Sequence, residues 1–130
     1  MREPQVVFRP LEKDAVCPRR HSDGAAGYDL HSVCPGSVPP YTTVTLNLGF
    51  SLKMPPDMIG YVCGRSGFAL KHGINIENSY VLDDSEVAIN IVNHSPDIFV
   101  FEKGTRIAQL FFAKIDTCGF QPMQPQADCN

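Results

Sequence analysis

Three carboxylates, Asp83, Asp84 and Glu86, fall between two apolar runs in NSYVLDDSEVAINIV, residues 78–92. Acids this close together commonly form a solvated turn, but held in place they can bind a metal ion or orient a water for attack. A second group, Arg65-Ser66-Gly67, opens the segment SGFALKHG at 66–73. An arginine fork, a hydroxyl and the amides at a helix start all favour an anion, although a capped surface helix would carry the same residues. Asp29 lies in GAAGYDL, a small and apolar setting. There an acid can hold a metal-bound water or pin a loop by accepting backbone hydrogen bonds. Gln109 is the polar exception in IAQLFF, which the turn Lys103-Gly104-Thr105-Arg106 feeds; it suits a phosphate contact or a cross-strand partner. His72 and the other histidines have no arranged neighbours, and no Ser–His–Asp constellation is readable.

The elements that must position these residues read as strands. In VTLNLGFSL, Val44, Leu46, Leu48, Phe50 and Leu52 alternate with Thr45, Asn47, Gly49 and Ser51, a period of two that predicts one buried face. Short apolar runs recur at QVVF (5–8), MIGYVCG (58–64), VAINIV (87–92), IFVF (98–101) and IAQLFF (107–112). Turn formers separate them: Ser22-Asp23-Gly24, Pro35-Gly36, Pro39-Pro40, Pro55-Pro56-Asp57 and Ser95-Pro96-Asp97. Such spacing predicts an all-β sandwich, jelly roll or barrel. The exception is SGFALKHG, expected to form a two-turn helix capped by Ser66 and stopped by Gly73. Residues 1–115 are expected to form one domain, and the proline- and glutamine-rich segment 116–130 a flexible tail.

With 130 residues, 19% of them charged, and a net charge of −3, the chain has room for one modest core and no electrostatic case for nucleic acid. Its one basic cluster, Arg19-Arg20, reads as a solvated loop. No apolar window is long enough to span a membrane, and the first residues do not read as a secretory signal. The expected setting is therefore intracellular, cytoplasmic or nuclear. Cysteines at 17, 34, 63, 118 and 129 lack zinc-ligand spacing and read as free thiols. Asn93-His94-Ser95 matches the glycosylation triplet but carries little weight without a secretory signal.

The order of four motifs adds more than any one of them. AGYDL (26–30), GRSGFA (64–69), VLD (81–83) and KGTRIAQL (103–110) resemble, in sequence and approximate spacing, four of the five motifs of the trimeric dUTPase family. The resemblance runs over roughly residues 5 to 115 and implies a jelly-roll or β-clip subunit with one short helix. It also implies a threefold homotrimer with active sites built between subunits. Active members hydrolyse dUTP to dUMP and pyrophosphate with Mg²⁺. By resemblance, Arg65, Ser66, Gly67 and Gln109 grip the phosphates. Asp29 reaches the metal through water, Asp83 orients the attacking water, and Tyr80 and Val81 lie at the base pocket.

The third motif departs from the family. Its pattern is glycine–valine–isoleucine–aspartate, two residues, tyrosine, then arginine–glycine, against SYVLDDSEVAI here. Asp83 holds the place of the catalytic aspartate, the following tyrosine is missing, and the turn to Val87 is about three residues short. Tyr80 stands where the family has a glycine that lets backbone approach uracil, so its side chain is expected to fill the base pocket. In a second register IENSY makes Glu77 the acid and Tyr80 the tyrosine; the fit of VLD and the alternation in VAINIVN favour the first. After Lys114 there is one glycine, Gly119, and no arginine, so the family's arginine-rich closing arm, the fifth motif, is not expected. These departures predict a dUTPase-family protein, of a kind that viruses carry, with catalysis lost or strongly impaired. Its fold would be kept as a scaffold for an unknown cellular or viral protein partner. The alternative is an active Mg²⁺-dependent dUTP diphosphatase. A lesser reading is a nucleotide-binding regulator that keeps the phosphate site and senses a different triphosphate; the ligand of the site is dUTP or another nucleotide.

Overall fold

The computed structural model describes residues 5–123, which form ten strands and one short helix. The strands are β1 Val7–Pro10, β2 Tyr28–His31, β3 Gly36–Val38, β4 Thr43–Lys53, β5 Met58–Cys63, β6 Ile74–Ile76, β7 Ser79–Val81, β8 Glu86–Asn93, β9 Phe99–Phe101 and β10 Arg106–Lys114; helix α1 is Ser66–His72. They pair into two four-stranded sheets, in the orders β1-β4-β8-β6 and β2-β10-β5-β7, and a two-stranded ribbon β3-β9. All pairings are antiparallel. The fold is all-β with one short helix. The short strands β3, β6 and β7 span three residues each, too few to establish a period, and their partners β9, β8 and β5 define them.

One core draws on every sheet. Leu48, Phe50, Ile89 and Ile91 come from the first sheet, Leu30, Val62, Ile107 and Leu110 from the second, and Val38, Phe99 and Phe101 from the ribbon. Strand β4 departs from simple alternation, because all five residues from Leu48 to Leu52 are buried, including Gly49 and Ser51. The cause is a bulge at Gly49, whose φ of +80° is a left-handed conformation that glycine adopts without strain. The register with β8 slips between Asn47 and Ser51. The freed Gly49 carbonyl accepts from the N–H groups of Leu11 and Glu12, and its own N–H donates to Glu86 Oε2. The bulge thus ties the segment after β1 to the sheet.

Helix α1 begins one residue earlier than its hydroxyl suggests. Its cap is Arg65, in extended conformation and with no side-chain capping bond, so Ser66 is the first helical residue and not the cap. Gly73, at φ +66°, ends the helix by donating its N–H to Ala69 O. No residue of α1 is fully buried; Phe68 holds it down through an edge contact with Phe99, ring centroids 5.6 Å apart.

Asn93 has a structural role that precludes glycosylation of the folded chain. It is 1% exposed, and its amide donates to the carbonyls of Val38 and Asp97 while Oδ1 accepts from the Ser95 N–H and Oγ. Cys17, Cys34, Cys63 and Cys118 are free thiols, and burial pushes the Cys63 thiol up; Cys129 lies outside the described residues. Within the segment expected to be a tail, residues 116–123 carry no helix or strand, and 124–130 lie outside the described residues. Among the described residues no helix is long and apolar enough to cross a membrane.

Candidate functional site

Strand β10 lies between β2 and β5, and this placement assembles the site. Gln109 pairs with Asp29 on one side and Cys63 on the other, and paired residues of neighbouring strands share a face. Two residues after Cys63 comes Arg65, then Ser66 at the helix start, so pairing alone brings Gln109 beside the first turn of α1. Arg65, Ser66, Gly67 and Gln109 line one open cavity of about 340 Å³. Gly27 permits the approach: a Cβ there would stand 2.9 Å from the Phe111 ring and 3.1 Å from Gln109 Oε1.

The cavity has the chemistry of an anion site. Arg65 Nη1 donates to the Arg106 carbonyl at 3.1 Å, which holds the guanidinium against β10 and leaves other N–H groups of the fork for a ligand. In a helix the first N–H groups have no intrahelical acceptor, so those of Ser66 and Gly67 are free of the ladder. Lys71 and His72 line the same cavity. The sequence alone marks neither as a site residue, and His72 has no arranged neighbours there. The available signal was helical spacing, since residues three and four after Phe68 share its face.

Asp29 is 8% exposed and anchored by its strand; its N–H donates to the Arg19 carbonyl, and Oδ2 lies 3.7 Å from Arg106 Nη1. Among the described residues no three histidine, cysteine, aspartate or glutamate side chains gather to hold a metal ion. Magnesium keeps several waters and takes one or two carboxylates together with substrate phosphate oxygens. A single acid on the residue paired with Gln109 fits that mode, and does not fit a cage made by protein alone.

Asp83 does not line this cavity. It stands in the turn 82–85 between β7 and β8, and both its oxygens have protein partners. Oδ2 accepts from Lys53 Nζ at 2.8 Å and Oδ1 from the Met54 N–H at 2.8 Å. The Lys53 hydrogen bond, then the Met54 amide, hold the Asp83 carboxyl below the usual aspartate range, and the same bond raises Lys53. Asp84, at φ +61°, completes the turn; it pairs with Arg9 at 3.0 Å and its N–H donates to Leu52 O. The shortened turn is therefore clamped to the end of β4 from both sides. Glu77, the acid of the second register, accepts from the Asn90 amide and also lies outside the cavity lining.

Tyr80 and Val81 point to opposite faces of β7. Val81 is buried over Gly60, whereas Tyr80 is 64% exposed and leans on its cross-strand partner Tyr61, ring centroids 5.7 Å apart. Within one chain the Tyr80 ring is therefore on the outside of the sheet.

Comparison with known proteins accords with this geometry. The dUTPase family model matches residues 13–129. The deoxyuridine 5′-triphosphate nucleotidohydrolase of Encephalitozoon cuniculi is 37% identical over 116 residues, covering 88% of this chain and 81% of the relative. That of Paramecium bursaria Chlorella virus 1 is 33% identical, over 86% of this chain and 81% of the relative. Among solved structures, a mutant dUTPase from phage phi11 of S. aureus, described with a structural Mg(II) ion, superposes with TM-score 0.82 at 20% identity, over 95% of this chain and 99% of that one. The Staphylococcus bacteriophage 80alpha dUTPase with dUpNHpp gives TM-score 0.82 at 24% identity, over 95% and 90%. The family model spans the cavity and the clamped turn alike, and the strand pairing places its motifs side by side: this chain belongs to the dUTPase family.

Proposed function

We propose that the chain is a Mg²⁺-dependent dUTP diphosphatase, releasing dUMP and pyrophosphate. One observation carries this reading: Arg65, Ser66 and Gly67 at the start of α1 and Gln109 of β10 line one cavity, and Gln109 pairs across the β2–β10 ladder with the acid Asp29. Relatives that bear the name of this activity, at 33–37% identity over most of the chain, support it. The reaction needs positioning and charge neutralisation more than a protein nucleophile. Arg65 offers parallel N–H donors to phosphate oxygens, Ser66 a hydroxyl, Gly67 a backbone amide and Gln109 a side-chain amide. Asp83, kept ionised by Lys53, can accept a hydrogen bond from a water and so aim it. Bound magnesium would neutralise phosphate charge, with Asp29 reaching it through water.

Asp83 does not line the Arg65 cavity, so a site using both would combine different copies of the chain. We place the complete site between subunits of a homotrimer. The test is pyrophosphate release from dUTP with Mg²⁺, compared with dTTP and UTP. Turnover specific for dUTP, lost in Arg65→Ala, is the expected result; a folded protein with no turnover would overturn the reading.

The clamped turn favours a second reading, a dUTPase-derived scaffold with impaired catalysis that binds another protein. Both Asp83 oxygens are engaged by Lys53 and Met54, and Tyr80 stands at the family's glycine position. If a well-folded protein gives no dUTP turnover, this reading replaces the first.

A further inference from the structure

Arg19-Arg20, read from the sequence as a solvated loop, lies against the site. The isolated bridge between Arg19 and Asp29 brings this loop to β2, and the β2–β10 pairing sets Arg106 opposite His31. Arg19, Arg20, His21, Asp29, His31 and Arg106 together line a cavity of about 450 Å³. Three guanidiniums face one carboxylate there, in a chain whose net charge is −3. Like charges repel, and a concave basic surface raises the local concentration of anions.

The existing contacts leave that surplus uncompensated. Arg106 Nη1 lies 3.1 Å from His21 Nδ1 and 3.7 Å from Asp29 Oδ2. Arg20 Nη1 donates to the Asp23 carbonyl, and its guanidinium lies 6.0 Å from the centroid of the Tyr28 ring. Among the described residues neither Arg19 nor Arg20 has a carboxylate within ion-pairing distance. His31 Nδ1 is buried with no hydrogen-bond partner among the described residues. The cavity adjoins the first one, because Arg65 donates to the Arg106 carbonyl and Asp29 pairs with Gln109.

We propose that this second cavity is a subsite for a phosphate-type polyanion, in which Arg19 and Arg20 supply the charge and Arg106 the wall shared with the Arg65 site. The proposal deepens the nucleotide reading and rests on it for the identity of the physiological ligand. That ligand is either the terminal phosphates of a nucleoside triphosphate or free pyrophosphate. Planar guanidinium forks recognise such oxygens in pairs.

The test is calorimetric titration of the full chain with inorganic pyrophosphate, dUTP without metal, and dUMP. The variants are Arg19→Gln/Arg20→Gln, both on exposed side chains, and Arg65→Ala. The double variant should weaken pyrophosphate by at least about tenfold, with the loss steepest at low salt, and leave dUMP unchanged. A matching loss for dUTP assigns the subsite to its terminal phosphates, and a loss for pyrophosphate alone assigns it to the free anion. Wild-type affinity for pyrophosphate in the double variant, or no pyrophosphate binding by the wild type, overturns the proposal. Arginine-dependent pyrophosphate binding in a protein without dUTP turnover upholds the subsite while removing the diphosphatase reading.

Discussion

At the scale of single residues, Asp83 is the most informative side chain, because its protonation is set by neighbours on another strand. Lys53 Nζ and the Met54 N–H both stabilise the ionised carboxylate, and Arg9 adds a smaller effect of the same sign. A carboxyl depressed in the folded state contributes stability above its unfolded pKa of about 3.9 and loses it as pH falls through the lower folded value. Both partners are close to half exposed, so this contribution is small and the carboxylate's titration is the better observable. Lys53→Met removes the largest cause, and the Asp83 midpoint should rise toward the ordinary range in a carboxyl-detected NMR titration. In an active enzyme the acid limb of the rate profile should move upward with it, and Lys53→Arg should restore both. A midpoint indifferent to Lys53 would show that the ion pair does not form in solution.

At the scale of elements, Asn93 joins three segments at the end of β8. Its amide satisfies one carbonyl of β3 and one in the 95–98 turn, and its oxygen caps the Ser95 N–H. Truncation to Ala would leave these buried or half-buried groups without partners, and each costs the desolvation of an unmet hydrogen bond. Asn93→Ala should therefore destabilise the fold by about 2–4 kcal/mol, seen as a lower urea midpoint with unchanged slope. A loss under about 0.5 kcal/mol, the usual range for a surface substitution, would mean that water replaces these bonds.

At the scale of the whole molecule, the Arg65 cavity and the Asp83 turn are separate features of one subunit. In the proposed homotrimer a reaction using both takes them from different copies, and closed symmetry makes such an exchange repeat at every site. Sedimentation equilibrium should return three times the 14.3 kDa chain mass. Mixing inactive Arg65→Ala chains with inactive Asp83→Asn chains and letting them exchange should regenerate some turnover, because some mixed sites carry both native residues. A monomer that turns over dUTP would exclude a shared site.

Local chemistry made part of this molecule legible without coordinates. Alternation in VTLNLGFSL and the short apolar runs at 58–64, 87–92, 98–101 and 107–112 marked strands, because a half-buried strand writes its face into every second residue. The glycine stop after His72 was equally plain. Motif order brought Arg65, Ser66, Gly67 and Gln109 together as candidates before any geometry did. What stayed hidden depended on partners distant in sequence. The buried run at Leu48–Leu52 follows from a bulge locked by Leu11, Glu12 and Glu86, and the Ser66 hydroxyl could not reveal that Arg65 occupies the cap. The clamp on Asp83 spans 30 residues to Lys53, and Arg19 comes to line one cavity with Arg106 through an isolated bridge and a strand pairing. Composition and periodicity report which face of a segment is buried; only the folded chain decides which charges become neighbours, because that depends on strand order and register.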